Sequence, residues 1–248
     1  FMVDDEIAYL QLRTFANQGA AVYLANAIKE MQSTHGNAIK GYVLDLRGNT
    51  GGFLDQGRYT ADMFLNSGLI TTVGSAQNLQ ETQHYAAQGD IIDGMPLAVL
   101  INDYSASASE IVTAALQDHG RAIIVGNRSY GKGSVQSMLP LSNGGTLRLT
   151  SQLYFTPDGN SIQGRGIQPD IKYVPLTPPE QEPEYAHPID NLPDGITYDD
   201  HRSSQTCSAA PNDPVAHTQK GLTFADGSVD YALLCAVEAL RNEERSTV

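Results

Sequence analysis

The chain predicts an α/β fold on three observations. Short apolar runs such as Pro96-Leu-Ala-Val-Leu-Ile101 read as strands buried on both faces, stretches with apolar residues at helical spacing alternate with them, and glycine-rich turns join the two. At 248 residues, with 41% hydrophobic and 17% charged content, the chain can fill one large core and still carry an appendage.

The first strand is expected in residues 6–15, where apolar and polar residues alternate. A helix from Ala20 to Met31 follows from Val22, Leu24, Ala25, Ile28 and Met31, stopping before Thr34-His-Gly36. Gly41-Tyr-Val-Leu-Asp-Leu46 reads as a strand, Arg47-Gly-Asn-Thr-Gly-Gly52 as a loop, and the stretch through Ala61 and Leu65 as a second helix. The strand-turn-helix unit then repeats, with Pro96–Ile101 as strand, the serine segment as turn and Ser109 to Asp118 as helix, ending at His119-Gly120. Ala122-Ile-Ile-Val125 is a third strand. Ser142-Asn-Gly-Gly145 predicts a hairpin turn leading into the alternating strand Thr146–Tyr154, which Thr156-Pro-Asp-Gly159 closes.

After Ile171 the composition changes, and eight of the twelve prolines lie between Pro175 and Pro214. Residues 174–227 are therefore expected to form an extended arm, distinct from a catalytic core over 1–173. Ser228 precedes Val229, Ala232, Leu233, Ala236, Val237 and Leu240 at helical spacing, so 228–248 is expected to be a docking helix that could also serve a homo-oligomer interface.

Fifteen basic against 28 acidic residues give a net charge of −13, which repels phosphate backbones and argues against nucleic-acid partners. No apolar run reaches the roughly 18 residues of a membrane span, and the start lacks the charged and apolar regions of a signal peptide. Cys207 and Cys235 are too few for a metal site. A single disulfide and two unpaired thiols remain equally open.

Two residues carry the chemistry: Ser107, in Tyr104-Ser-Ala-Ser-Ala-Ser-Glu110, and Lys132, in Tyr130-Gly-Lys-Gly-Ser-Val-Gln136. A serine hydroxyl needs a base to take its proton, and an amine serves only when neutral, a form that burial favours. Ser-Lys pairs are a recognised variant of the Ser-His-Asp machinery. Gln136 could orient the amine. Ala108, at a helix start, and the Gly51-Gly52 loop could present N–H groups to a developing oxyanion. No cofactor is called for.

Simpler readings compete. Ser107-Ala-Ser-Glu110 is also a capping box. Gly126-Asn-Arg-Ser-Tyr-Gly-Lys132 spells the first seven positions of a phosphate-binding loop, but Gly133 stands where its Ser or Thr belongs and the next residues read as a hairpin. His119, at a helix end, reads as a cap, and His187, His201 and His217 fall in the proline-rich arm, so a Ser-His-Asp triad is poorly supported.

Leu44-Asp-Leu-Arg-Gly-Asn-Thr-Gly-Gly52, Ser105-Ala-Ser-Ala-Ser-Glu-Ile111, Ala115-Leu-Gln-Asp-His-Gly-Arg121, Tyr130-Gly-Lys-Gly-Ser-Val-Gln136 and the run from Tyr154 to Asp170 resemble the carboxyl-terminal processing proteases, also called tail-specific proteases. The resemblance covers roughly residues 6–172. It implies a Clp protease/crotonase-like core of repeated strand-strand-helix units and an endopeptidase cutting proteins near accessible C-terminal tails. In that reading Ser107 is the nucleophile, Lys132 the general base and Gln136 its orienting partner, with Ala108 and a glycine of Gly51-Gly52 at the oxyanion hole. It also implies a periplasmic or otherwise extracytoplasmic setting, and a PDZ domain before about Glu6 that this chain does not show. Gly48 and Thr50 depart from the family loop, which usually has Asn and Pro there. A protease-like module that captures peptide tails with little turnover is the alternative.

Overall fold

The computed structural model describes residues 1–75, 78–87, 89–173, 205–207 and 230–246. In chain order the elements are β1 (Met2–Val3), β2 (Ile7–Gln11), α1 (Ala20–His35), β3 (Gly41–Asp45), α2 (Leu54–Asp62), β4 (Leu69–Ser75), β5 (Asn78–Tyr85), β6 (Leu97–Ile101), α3 (Ala108–Asp118), β7 (Ile123–Gly126), β8 (Ser134–Pro140), β9 (Thr146–Phe155), β10 (Ile171–Tyr173), β11 (Gln205–Cys207) and α4 (Tyr231–Ser246). α1 runs through Thr34 and His35 and stops at Gly36, whose φ of 49° ends it at no steric cost.

Two sheets result. A seven-stranded sheet has the order β1-β2-β3-β6-β7-β10-β11 and is parallel except for β1 against β2. Its central strands β3 and β6 are buried at every residue, which is why they read as continuous apolar runs. The second sheet, antiparallel, has the order β5-β4-β9-β8. Successive side chains on a strand face opposite ways, so Tyr42 and Leu44 enter the larger core with α1, α2 and α3, whereas Val43 enters a second core beneath α4.

The carboxyl ends of the adjacent parallel strands β3, β6 and β7 thus lie side by side. From them emerge the glycine loop, the Ser107 turn and the Lys132 segment, at the edge where open α/β sheets bind their ligands.

The C-terminal helix α4 starts at Tyr231, and its apolar residues, Leu233, Leu234, Val237 and Leu240 among them, dock against the chain's own sheet, so that face is used within one chain rather than left for a homo-oligomer interface. Residues 205–207 of the proline-rich stretch add a parallel strand to the sheet edge. The rest of the proposed arm, with His187, His201 and His217, lies outside the described residues. Cys207 and Cys235 are joined in a disulfide that ties β11 to α4. No helix among the described residues is long and apolar enough to cross a membrane.

Closing that 28-residue separation restricts the unfolded chain, so replacing both cysteines with serine is expected to lower stability by about 3 kcal/mol. Urea unfolding with and without a reductant checks this, and an unchanged midpoint in both would refute it.

Candidate active site

Ser107 is the N-cap of α3, and its backbone has φ 57° and ψ −113°, a conformation that side chains other than glycine rarely adopt. Such a turn lifts the serine at a strand-to-helix junction, as in the nucleophile elbow of hydrolases. The backbone N–H of Ser107 donates to Glu110 Oε2 at 2.8 Å. The glutamate half of the predicted capping box is therefore real.

Glu110 does much more than cap. Fully buried in the first turn of an apolar helix, its carboxylate also accepts from the N–H of Lys132 at 2.8 Å, the N–H of Gly131 at 2.6 Å and the hydroxyl of Ser129 at 2.6 Å. Burial pushes this carboxyl above its ordinary value, and the hydrogen bonds from Ser129, Gly131, Ser107 and Lys132 oppose that rise. All four partners are donors, so only the ionised form can accept every one of them. One carboxylate thereby fastens the backbone of the serine turn to that of the lysine segment.

The lysine segment is braced from behind as well. Ser129 accepts from the N–H of Ile167 at 2.7 Å, Gly131 O accepts from Gly164 N–H at 2.8 Å, and Gly133 N–H donates to Gln163 Oε1 at 3.0 Å. A Cβ on Gly133 would lie 2.5 Å from the Gln163 nitrogen, so only glycine permits this approach. From Gly133 the chain enters a strand, β8, and the helix that a phosphate-binding loop requires is absent.

The glycine loop is stitched to the serine turn on its other side. Asn49, fully buried, accepts from Ala106 N–H at 3.0 Å and Ser109 Oγ at 2.8 Å through its carbonyl, while Ser105 Oγ donates to Leu46 O at 2.8 Å. The Asn49 side chain donates to Leu12 O at 2.8 Å and accepts from Gly51 N–H at 2.9 Å. Gly51 N–H is therefore occupied. Among the described residues neither Gly52 N–H nor Ala108 N–H meets an acceptor. Gly51 has a φ of 92°, and a Cβ there would fall 2.6 Å from Ala106 O and 2.8 Å from Ser107 Cβ.

The side chains are less engaged than their backbones. Lys132 is exposed, contrary to the expected apolar pocket, and no hydrogen bond joins its Nζ to Ser107 Oγ. Glu110 holds Lys132 by its backbone N–H, which leaves the long side chain to solvent. Gln136 is exposed on β8, opposite Thr150, with no hydrogen bond to the amine. His119 sits at the far end of α3, bonded through Nε2 to Leu69 O at 2.7 Å, about 18 Å of helix from Ser107.

Sequence reasoning did not find Asn49, Ser129 or the joining role of Glu110. A signal for Glu110 existed: a carboxylate set among Ile111, Val112, Ala114 and Ala115 has no apolar-side partner on its own helix, so it must find donors elsewhere.

Ser107 on its positive-φ turn, the Lys132 backbone and the amides of Gly52 and Ala108, which meet no acceptor among the described residues, come together at the carboxyl ends of parallel strands. The model described as Peptidase family S41 matches residues 6–173, and the chain belongs to that family. A carboxy-terminal-processing protease of Bartonella bacilliformis is 51% identical over 174 residues, covering 69% of this chain and 39% of the relative. A carboxyl-terminal-processing protease of Synechocystis sp. is 34% identical over 215 residues, covering 84% and 49%. Among solved structures, a Photosystem II D1 C-terminal processing protease superposes with a TM-score of 0.62 at 33% identity, over 67% of this chain and 42% of that one. Mature CPAF, at 15% identity and a TM-score of 0.54 over 67% of this chain and 46% of that one, shares the fold alone. The core is of the Clp protease/crotonase-like class, and the chain spans less than half the length of these curated relatives.

A strained non-glycine backbone costs about 1–3 kcal/mol, and each kcal/mol moves the melting point of a chain this size by about 2–4 °C, so Ser107→Gly is expected to melt roughly 2–12 °C above Ser107→Ala, which keeps the strain. Equal melting temperatures in calorimetry would argue that the turn is relaxed.

Proposed function

We propose that the chain is a serine endopeptidase in which Ser107 is the nucleophile and Lys132 its general base. The observation that carries this reading is the Glu110 carboxylate, which accepts from the backbones of both residues at 2.8 Å and so holds the two segments in one place. The Lys132 amine, in its neutral form, takes the Ser107 Oγ proton as Oγ bonds to the carbonyl carbon of a scissile peptide. The carbonyl oxygen gains charge and is received by the N–H groups of Ala108 and Gly52, with Gly51 supporting the loop through Asn49. As the C–N bond breaks, the lysine ammonium returns its proton to the departing amine. Water, activated by the same amine, then cleaves the acyl-enzyme.

A peptide laid across the carboxyl ends of β3, β6 and β7 would cover Lys132 and exclude water from it, which favours the neutral amine. Gln136, on the strand that follows, orients that amine once it turns toward Ser107. Substrates are proteins with accessible C-termini, by similarity to the carboxyl-terminal-processing relatives. The catalytic unit spans residues 1–173, and the setting is an extracytoplasmic, oxidising compartment, in keeping with the Cys207–Cys235 disulfide.

Ser107→Ala and Lys132→Ala are each expected to cut turnover of an unfolded protein substrate by at least roughly 10³-fold with circular dichroism unchanged. Undiminished cleavage by Ser107→Ala would remove the reading. A wild-type chain that binds tail peptides but fails to react with a fluorophosphonate probe would establish instead a capture module with little turnover.

Glu110→Gln places an NH₂ group against N–H donors, so kcat should fall roughly 100-fold, the scale of an ångström's misplacement of the reacting groups. Unaltered steady-state kinetics in this variant would show that the junction of the two segments is unimportant.

A further inference from the structure

The S41 match ends at Tyr173, yet a residue beyond it reaches the glycine loop. Asp230, at the start of α4, accepts from Arg47 Nη1 at 2.9 Å and from Arg47 Nη2 at 2.7 Å. The same guanidinium is gripped from its other side by Asp45, at 3.0 Å from Nε and 2.6 Å from Nη2, and Asp45 is fully buried beneath α4 with the Tyr9 hydroxyl donating to it at 2.5 Å. Two carboxylates on a planar fork leave it little rotational freedom. Asp230 is itself well supported. Its Oδ1 caps Leu233 N–H at 3.0 Å, and the disulfide at Cys235 anchors the first turns of α4 to β11.

Arg47 opens the loop that carries Gly52. Three of the five residues from 48 to 52 are glycine, and all three have positive φ, so the segment has little stiffness of its own and relies on tethers. Asn49 supplies the tether toward Ser107. Phe15 pairs with the backbone on either side of Gly52, and Asn102 accepts from Gly48 N–H at 2.9 Å. Arg47 anchors the first residue of the loop, and one of its two carboxylate partners stands at the start of the C-terminal helix.

We infer that Asp230 is a positioning residue for the reaction: by holding Arg47 from α4 it fixes the 47–52 loop, and hence Gly52 N–H, beside Ser107. This rests on the oxyanion role given to Gly52 above. Asp230 touches no substrate in this reading. The active site is completed by a helix from outside the matched peptidase region.

The test uses Asp230→Ser, which keeps a capping oxygen for α4 but cannot span the guanidinium, beside Asp230→Asn, which keeps the shape and loses the charge. Hydrogen exchange of the peptide spanning residues 47–53 should quicken in Asp230→Ser, with melting temperature nearly unchanged. Fluorophosphonate labelling of Ser107 and kcat should both fall roughly tenfold in Asp230→Ser and less in Asp230→Asn, while KM stays within about twofold, because the lost interaction serves the transition state. Wild-type exchange rates in the loop of Asp230→Ser overturn the inference whether or not the chain is catalytic. So does wild-type labelling at altered exchange. A wild-type chain that neither labels nor cleaves refutes the proposed function instead, and the exchange result still decides whether Asp230 holds the loop.

Discussion

A carboxylate removed from water carries a cost of several kcal/mol unless donors replace its hydration, and the structure around Glu110 is organised by that requirement. Its donors come from three pieces of chain: the serine turn, the lysine segment and Ser129, which in turn receives Ile167 N–H. Only the Ser107 contact is local to the helix and its cap; those from Ser129, Gly131 and Lys132 come from outside it. α3 can bury Glu110 only if the loops after β6 and β7 converge on it, so satisfying one charge assembles the backbone of the site. The same carboxylate helps hold Ser107: its amide donates to the Glu110 side chain while its carbonyl accepts from Glu110 N–H at 2.9 Å, two bonds that pin the positive-φ turn to the helix start.

The second organising feature is the parallel sheet. Parallel strands need both faces covered, and the faces are covered differently: α1, α2 and α3 on one, α4 on the other. Alternation along β3 sends Leu44 to the first and Asp45 to the second, which brings a charge beneath α4 next to the loop that β3 feeds. Arg47 compensates that charge, and Asp230 holds the guanidinium from the start of α4. A packing necessity on the back of the sheet thus becomes a support for the loop at its edge, and the Tyr9 phenol, pushed up by burial and then by Asp45, stays protonated to donate into the same cluster.

Much of this was legible in the residues. Buried parallel strands announce themselves as apolar runs, and 41–46, 96–101 and 122–125 fell within a residue or two of β3, β6 and β7. The motif order placed the serine, lysine and glycine segments together because each follows such a strand. The β4–β5 hairpin stayed hidden, since β5, Asn78-Leu-Gln-Glu-Thr-Gln-His-Tyr85, is nearly all polar and offers no alternation to read. Asp45–Arg47–Asp230 was equally invisible, because a contact across 183 positions leaves no local trace. The disulfide was open for the same reason. Lys132 was expected in an apolar pocket from its chemistry, whereas solvent exposure is set by neighbours from β8 and the 161–167 turn that spacing does not reveal.

What results is a division between a fixed backbone and free side chains. Every segment of the site is held through main-chain atoms: Ser107, Gly131 and Lys132 by Glu110, and Ala106 by Asn49. The amine of Lys132 and the amide of Gln136 are left to solvent. Preorganising the oxyanion donors is the part of acyl-transfer catalysis that gains most from rigidity, because dipoles fixed beforehand need no reorganisation when charge develops. A base works under the opposite demand. An amine held permanently in a dry pocket must bear its desolvation cost at all times, whereas one that is covered only when a peptide lies over it incurs that cost together with the binding that offsets it. Under the proposed assignment, an exposed Lys132 on a rigid segment beside Ser107 is a base recruited by its substrate, and the positive-φ strain within the site falls on the proposed nucleophile.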